Sequence, residues 1–376
     1  MGCSNGVVRK ILIGFLLGSH PLGAQAPHVT PSDAIALQNA GKLEEAAEAW
    51  RAIAQQNPKD AAAFASLGVV LSREQKYSEA ATAYRKALAL DPKLPGVQLN
   101  LGLAEFKQGR FEAAIPPLRS ALAADPHSMQ AVALLGLSYY GAKHFQEAVK
   151  YLERAASLDP DNKELHQTLA QSCLLAKDYP CALDEFKKLQ QLDPDSSAVH
   201  MFTGEALDGE GKTEEAIAEF QTAVKLAPRE PNLNFGLGYL YWKTQKYEEA
   251  VAALEDELAV VPQNAQAILY LGDIAMKKGD YDKALELLQK STALQSDNRL
   301  AYLDMAGIFV DQKQYAQALS ALREAVRLDP AQPDVHFRLG HVYQLMGNDA
   351  AAQKEFAKVR ELKEKQDRDL APKPPR

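Results

Sequence analysis

The sequence predicts an all-α protein built as a solenoid of stacked helix-turn-helix repeats. Three series of residues recur every 34 positions: alanines, small residues 12 positions before them, and prolines 12 positions after them. A fixed period of this length is typical of stacked repeat proteins. The alanines are Ala46, Ala80, Ala114, Ala148, Ala182, Ala216, Ala250, Ala284, Ala318 and Ala352, and the small residues are Ala34, Gly68, Gly102, Gly136, Ala170, Gly204, Gly238, Gly272, Ala306 and Gly340. The prolines are Pro58, Pro92, Pro126, Pro160, Pro194, Pro228, Pro262 and Pro330, with Ser296 and Glu364 in the two remaining places.

Each repeat has the pattern of two short amphipathic helices, as residues 61–94 illustrate. Apolar residues keep helical spacing in two runs, which a polar turn at 74–76 separates. Gly68 and Ala80 are small, as the close approach of two antiparallel helices requires. Pro92 ends the second helix because proline cannot continue it. A pair this small cannot bury its apolar face alone, so we expect neighbouring pairs to stack into a continuous core.

The order of packing residues resembles the tetratricopeptide repeat pattern. The residues that carry the resemblance in this unit are Phe64, Leu67, Gly68, Leu71, Tyr77, Ala80, Tyr84, Ala87 and Pro92. The match covers all ten units, residues 27–366, without insertion or deletion. The resemblance implies a right-handed superhelix whose first helices line a concave face and bind protein partners. Since the pattern consists of packing residues, it does not identify the partner.

Length and charge exclude several classes of function. Ten repeats leave residues 1–26 and 367–376, which are too few for a catalytic domain, so we expect no enzyme, no catalytic residues and no cofactor. The net charge is −7 and no basic stripe follows the repeats, so nucleic acid is not an expected partner. No apolar run is long enough to span a membrane.

Residues 1–26 have the organisation of a signal peptide. Arg9 and Lys10 precede an apolar stretch at 11–17, and the small residues Ala24 and Ala26 offer a cleavage site. The alternative is an uncleaved leader on a cytoplasmic protein. We expect export, to the periplasm or the extracellular space. Residues 367–376 are charged and proline-rich, and are predicted to form a disordered tail.

Two groups of residues invite a chemical interpretation. Cys173 and Cys181 both lie in the fifth repeat, but on a core-facing and a usually exposed position, so two unpaired thiols are favoured over a disulfide. His166, His200 and His336 share the fourth position of their repeats, where other repeats have large core residues. No cysteine or carboxylate cluster completes a ligand set, so core packing is favoured over a metal site.

The resemblance assigns the fifth, ninth and twelfth positions of each first helix to the concave groove. In repeat seven these are Phe235, Tyr239 and Trp242, a stripe at helical spacing. The neighbouring repeats add Met201, Leu269 and Met276. A second apolar stretch consists of Leu99, Leu103 and Phe106, followed by Ala133, Leu137 and Tyr140. Exposed apolar patches usually mark interaction sites, although a tight superhelix could bury these residues instead.

Charge restricts the partner that this groove is expected to take. Some family members hold an acidic chaperone C-terminus with a clamp of lysine, arginine and asparagine, but no ninth position here is asparagine and no fifth position is lysine or arginine. Glu205, Asp208 and Asp273 flank the aromatic stripe instead. A protein or peptide segment with apolar and basic groups is therefore expected.

Repeats seven and eight depart from the pattern where helix pairs pack. Glu257 and Ser291 replace small or aliphatic residues, and Ser296 replaces proline. One interpretation is a local hinge beside the groove, because a polar contact weakens a repeat interface. The other is a tolerated variation of the repeat.

These observations predict a non-enzymatic protein-interaction scaffold that binds an extended or helical partner segment. Exported bacterial proteins of this family serve envelope assembly, pilus and polysaccharide export machines, so the resemblance implies a complex in the cell envelope. The alternative is a carbohydrate-contacting component of a polysaccharide or pilus secretion machine, in which Tyr239 and Trp242 stack on sugar rings.

Overall fold

The computed structural model describes residues 29–370, which form two compact units that divide after Leu134. The described chain is all helical, as predicted, and contains no strand. The predicted signal peptide and the last six residues lie outside the described residues. The helices are α1 (Pro31–Asn39), α2 (Leu43–Gln56), α3 (Ala61–Arg73), α4 (Tyr77–Leu90), α5 (Val97–Lys107), α6 (Phe111–Ala124), α7 (Met129–Gly141), α8 (Phe145–Leu158), α9 (Lys163–Leu175), α10 (Tyr179–Leu192), α11 (Ser197–Gly209), α12 (Thr213–Leu226), α13 (Leu233–Lys243), α14 (Tyr247–Val260), α15 (Ala265–Lys277), α16 (Tyr281–Leu294), α17 (Arg299–Asp311), α18 (Tyr315–Leu328), α19 (Pro333–Leu345) and α20 (Asp349–Leu370).

Each unit is a stack of helix pairs, and small residues let the two helices of a pair approach closely. In repeat seven a Cβ placed on Gly238 of α13 lies 2.7 Å from Cγ of Leu254 on α14, closer than real contacts allow. The alanine of the opposite helix, Ala250, is fully buried. The steric role that the 34-residue series predicts is therefore confirmed.

The turn between the two helices has one conformation in all ten repeats. The residue at the fifteenth position of each repeat has a left-handed φ, between 60° and 84°. Five of these residues are glycines, and the other five are Gln75, Lys143, Lys177, Gln245 and Lys313. This conformation lets the amides after a helix bond back to its last carbonyls, as Lys76 N does to Leu71 O at 2.9 Å.

The first helices of repeats three and seven share an unusual start. Asp60, Asn162 and Asn264 cap their helices conventionally, each side chain accepting a hydrogen bond from the backbone three residues later. In contrast, α5 and α13 begin two residues late, after Gly96 and Asn232, which have left-handed φ values of 74° and 72°. Neither of these residues caps its helix with its side chain.

The structure corrects two predictions about the polypeptide. Helix α20 runs to Leu370, so residues 367–370 of the predicted disordered tail are helical. Cys173 and Cys181 form a disulfide that joins α9 to α10, so the expectation of two unpaired thiols is wrong. The tight turn brings their Cα atoms to 5.7 Å, within bonding range, although Cys173 is fully buried and Cys181 is partly exposed.

The three histidines at the fourth position are hydrogen-bonded structural residues. His166 and His336 are buried, as the core interpretation predicts, and His200 is half-buried. Each ring bonds through Nδ1 to a glutamate 19 residues later and through Nε2 to a proline carbonyl six residues earlier. For His166 these partners are Glu185 at 2.5 Å and Pro160 at 2.9 Å. Both ring nitrogens are thereby committed within the repeat.

Candidate partner-binding groove

The predicted stripe of repeat seven forms an aromatic cluster with a residue of repeat eight. Phe235, Tyr239 and Trp242 lie half-buried along α13. Tyr270 on α15 packs against all three, with ring centroids 6.1, 5.5 and 4.7 Å away. Burial, together with Tyr239 and Asp273, raises the pKa of Tyr270 to about 12. Four rings in contact make this part of the surface rigid and largely apolar.

A groove of about 660 Å³ opens beside this cluster, between α11 and α13. We call it the α11–α13 groove. Its walls include the predicted residues Met201, Phe235 and Tyr239, together with Phe220 and Leu233, which position counting did not select. The remaining lining residues are Ser197, Ala198, Glu205, Asp208, Glu230, Pro231, Asn232, Gly236 and Leu240. Its volume and apolar walls are typical of a site that takes several side chains of a ligand.

The charges in the groove are acidic. Asp208 accepts hydrogen bonds from Lys243 Nζ at 2.6 Å and from Thr213 Oγ1 at 2.9 Å. Glu205, one turn earlier on α11, makes no hydrogen bond or ion pair with any described residue, and its side chain stays open to solvent. The surrounding apolar side chains nevertheless withdraw water from its carboxylate and raise its pKa above the usual range.

Glu257 on α14 fixes the start of α13, the helix that carries the aromatic stripe. Its buried carboxylate accepts hydrogen bonds from the backbone amides of Asn232 at 3.0 Å and Phe235 at 3.2 Å, and from the Asn264 side chain at 3.2 Å. It thus caps the late-starting helix α13, whose first amides have no side-chain cap of their own. Ser291 likewise donates a 2.8 Å hydrogen bond to the Ala265 carbonyl. The two buried polar substitutions, Glu257 and Ser291, therefore have hydrogen-bond partners, which favours a tolerated variation of the repeat. The hinge stays a prediction.

Trp242 is half-buried and bonded to other side chains of the protein. Its indole Nε1 donates a hydrogen bond of 2.5 Å to Asp273, which is buried and also bonds Lys277. The Lys277 ammonium lies 5.1 Å from the centre of the indole ring. One face and the polar edge of the indole thus have partners already, and Tyr239 stacks on it at 5.8 Å. The role of Trp242 in binding a partner stays a prediction.

Two residues predicted beside the stripe lie elsewhere. Leu269 is only 1% exposed and belongs to a buried cluster that includes Met305 on α17, so its assignment to an exposed surface is wrong. Successive first helices pack closely here and cover the fifth position. Met276 is half-buried and lines a different cavity, of about 380 Å³, with Val310 and Phe337.

The second predicted patch falls in both units. Leu99, Leu103 and Phe106 are half-buried on α5, where Phe106 packs edge-on against Phe111 at 5.6 Å. Leu137 and Tyr140 are half-buried on α7, and the Tyr140 hydroxyl donates to Gln171 at 2.9 Å. Their role in binding a partner stays a prediction.

An exposed aromatic residue near the C-terminal end escaped the sequence reasoning. Phe337 on α19 is 57% exposed and borders two cavities. It occupies the fifth position of repeat ten, the place that Phe235 has in repeat seven. Applying the same positional rule to every repeat would have found it.

Residues 29–370 have neither a membrane-spanning helix nor a metal-binding cluster. None of the described helices combines the length and apolarity needed to span a membrane. Within the same residues, no three histidine, cysteine or acidic side chains are grouped to hold a metal ion.

Comparisons with known proteins agree with this architecture. Tetratricopeptide repeat models match residues 99–163, 203–259 and 235–299, residues 139–205, and residues 333–366, and a TPR repeat model matches residues 71–109 and 306–347. A search of curated protein sequences gave no significant match.

Among solved structures, the crystal structure of the APC/C hetero-tetramer Cut9–Hcn1 is similar, with 15% identity and a TM-score of 0.52 over 88% of this chain and 80% of that one. Yeast Tom70 matches with 15% identity and a TM-score of 0.43, over 88% of this chain and 91% of that one. MamA matches with 21% identity and a TM-score of 0.40, over 44% of this chain and 96% of that one. At these identities the likeness concerns the fold alone.

The matched segments together extend over residues 71–299 and 306–366, and so include most of the helix pairs described above. The 34-residue period, the small-residue contacts within each pair and these matches lead to one conclusion. The chain belongs to the tetratricopeptide repeat family.

Proposed function

We propose that this protein-interaction scaffold binds an extended or helical segment of its partner in the α11–α13 groove. The observation that carries the proposal is the combination of apolar walls, from Met201, Phe235 and Tyr239, with an unpaired carboxylate, Glu205. Rigid aromatic side chains at the centre of a concave surface are typical of residues that dominate binding energy. The aromatic cluster holds two of these residues in place before a partner arrives, which lowers the entropic cost of binding.

We further propose that the scaffold is exported and works in a complex of the cell envelope. The features of residues 1–26 support export. The disulfide between Cys173 and Cys181 supports it too, because such bonds persist mainly in oxidising compartments. Cell fractionation with N-terminal sequencing of the mature protein tests this, and an intact N-terminus in the cytoplasmic fraction contradicts it.

The carbohydrate-binding alternative has less support. Sugar rings stack on exposed aromatic faces, whereas Trp242 is half-buried, bonded to Asp273 and covered on one face by Lys277. We therefore retain a protein partner as the proposal.

The test is capture of partners from envelope extract with crosslinking, using a matched pair of variants. Tyr239→Ala removes a central ring of the groove wall and is expected to lower capture at least tenfold, the loss typical of a binding residue worth more than about 1.4 kcal/mol. Leu158→Ala removes an apolar side chain that is 50% exposed on α8, away from the groove, and is expected to leave capture unchanged. Circular dichroism of both variants checks the fold. Equal capture by Tyr239→Ala and the original protein contradicts the proposal.

A further inference from the structure

We infer that the α11–α13 groove selects partner segments that place a lysine or arginine against Glu205, next to an apolar side chain. The inference rests on the proposed function and adds the chemistry that the partner must have. It depends on the charges of the groove, on the lack of a partner for Glu205 and on the apolar walls around it.

The lining residues of the groove carry acidic groups and no basic ones. Glu205, Asp208 and Glu230 contribute carboxylates, and the lining contains no lysine, arginine or histidine. Lys243 compensates Asp208 from outside the lining, at 2.6 Å. Glu205 has no such partner among the described residues, so the groove has an uncompensated negative charge.

Glu205 lies where a bound side chain would reach it. It occupies the ninth position of repeat six, one turn beyond Met201, and lines the groove together with Tyr239, at the ninth position of repeat seven. A cation that enters between these helices meets the carboxylate while its aliphatic stem contacts Met201 and Tyr239. Lysine and arginine combine an apolar stem with a charged end in this way.

The electrostatics of Glu205 favour a cation over other ligands. Its apolar surroundings remove part of the hydration of its carboxylate, and no protein cation replaces that hydration. An arriving ammonium or guanidinium group supplies the missing compensation at lower desolvation cost than a fully hydrated carboxylate demands. An acidic segment instead meets like charges, which costs binding energy.

The test uses the purified protein and a phage-displayed library of random 12-residue peptides as the probe. Recovered peptides are expected to be enriched in lysine or arginine beside leucine or an aromatic residue. Synthetic versions are then titrated by fluorescence anisotropy. Glu205→Gln is expected to lower the affinity of these peptides roughly tenfold, which corresponds to about 1.4 kcal/mol. Glu255→Gln makes the same charge change at an exposed position of α14 outside the groove and is expected to have no effect.

Acetylation of the peptide lysine completes a double-mutant cycle. It should weaken binding to the original protein as much as Glu205→Gln does, and should add little further loss in Glu205→Gln, because both changes remove one interaction. Peptides without basic enrichment, or additive losses in the cycle, overturn the inference. If peptides without basic enrichment bind Phe235→Ala more weakly than the original protein, the groove binds segments of another chemistry and the proposed function stands. Peptides indifferent to both Phe235→Ala and Glu205→Gln count against both.

Discussion

Two buried carboxylates, Glu257 and Asp304, differ in how far their hydrogen-bonding capacity is satisfied. Glu257 is fully buried and bonds two backbone amides and one side-chain amide. Asp304 on α17 is 7% exposed, and its buried Oδ2 has no hydrogen-bond partner. Because an unpaired buried group costs more free energy than one whose hydrogen bonds offset its desolvation, the two residues should have opposite effects on stability.

Replacement of Glu257 by alanine should destabilise the protein by about 2 to 4 kcal/mol, because the amides of Asn232 and Phe235 lose a charged acceptor. Repeat three shows that the stack tolerates the change, since α5 also starts after a left-handed residue and has Ala121 at the equivalent position. Urea unfolding measures the loss, and hydrogen exchange should locate it in α13. Glu255→Ala on the exposed face of α14 is the control. Unchanged exchange in α13 would contradict the capping role.

Asp304 should make stability fall as pH rises. Burial, and then the charge of Asp273, raise its pKa to about 7, while Lys277 and Arg338 act in the opposite direction. In the unfolded chain the pKa is about 3.9, so between about pH 4 and 7 the folded state binds the extra proton. The free energy of unfolding therefore decreases with rising pH across this window and levels off above it.

Asp304→Asn should remove this decline and stabilise the protein at pH 8 by up to about 4 kcal/mol, which corresponds to the difference between the folded pKa of about 7 and the unfolded pKa of about 3.9. Urea unfolding at pH 5.5 and pH 8 makes the comparison. Asp282→Asn, at an exposed position of α16, should keep the decline of the original protein. A free energy of unfolding that falls more steeply with pH in Asp304→Asn than in the original protein would contradict the expected sign of the pH dependence.

At the scale of single helices, two glycines of similar position should respond oppositely to alanine. Gly238 lies against Leu254, and its new methyl group would also come 3.3 Å from the Leu254 backbone nitrogen. Overpacking costs about 1 to 3 kcal/mol and outweighs the helix propensity gain of about 1 kcal/mol. Gly307 in α17 faces open space, so alanine should stabilise it by about 0.8 to 1 kcal/mol. Thermal unfolding of both variants should give shifts of opposite sign.

The disulfide between α9 and α10 should stabilise the protein modestly, because it closes a short loop. A sequence separation of 8 residues corresponds to about 2 to 3 kcal/mol in the chain-entropy model. Reduction should lower the urea midpoint accordingly, and Cys181→Ser should reproduce that value under oxidising conditions. Mass spectrometry of the alkylated, unreduced protein should find neither Cys173 nor Cys181 modified. Alkylation of both would exclude the bond.

The sequence predicts the helices far better than it predicts the groove. Period, small residues and prolines report contacts inside one repeat, where distances are fixed by the repeat itself. The burial of Leu269 and the bond of Trp242 to Asp273 depend on how closely successive first helices pack. The position of a residue within its repeat carries no information on that distance. The disulfide likewise needed the separation of two Cα atoms across a turn. The capping role of Glu257 was hidden because its helix α13 starts late.

For the molecule as a whole, the two units should unfold separately. Residues 29–134 contain fewer repeats than residues 135–370, and in stacked repeat proteins each added interface contributes to stability. The chain has two tryptophans, Trp50 in the first unit and Trp242 in the second. The Trp242→Phe variant keeps Trp50, so its tryptophan fluorescence reports the unfolding of the first unit, and Trp50→Phe reports the second in the same way. The urea midpoint of Trp242→Phe should therefore be the lower of the two. Coincident transitions in the two variants would show a single cooperative unit instead.

The capping carboxylate of Glu257 has a consequence for protein engineering. Consensus redesign would replace this residue by alanine, since Ala87, Ala155 and Ala223 occupy the equivalent places. The redesigned array would keep its helices yet lose the acceptor that fixes the start of α13. Anyone transplanting this recognition surface into an idealised scaffold must therefore move α13 and Glu257 of α14 together. A residue that never touches the ligand then becomes part of the smallest transferable module.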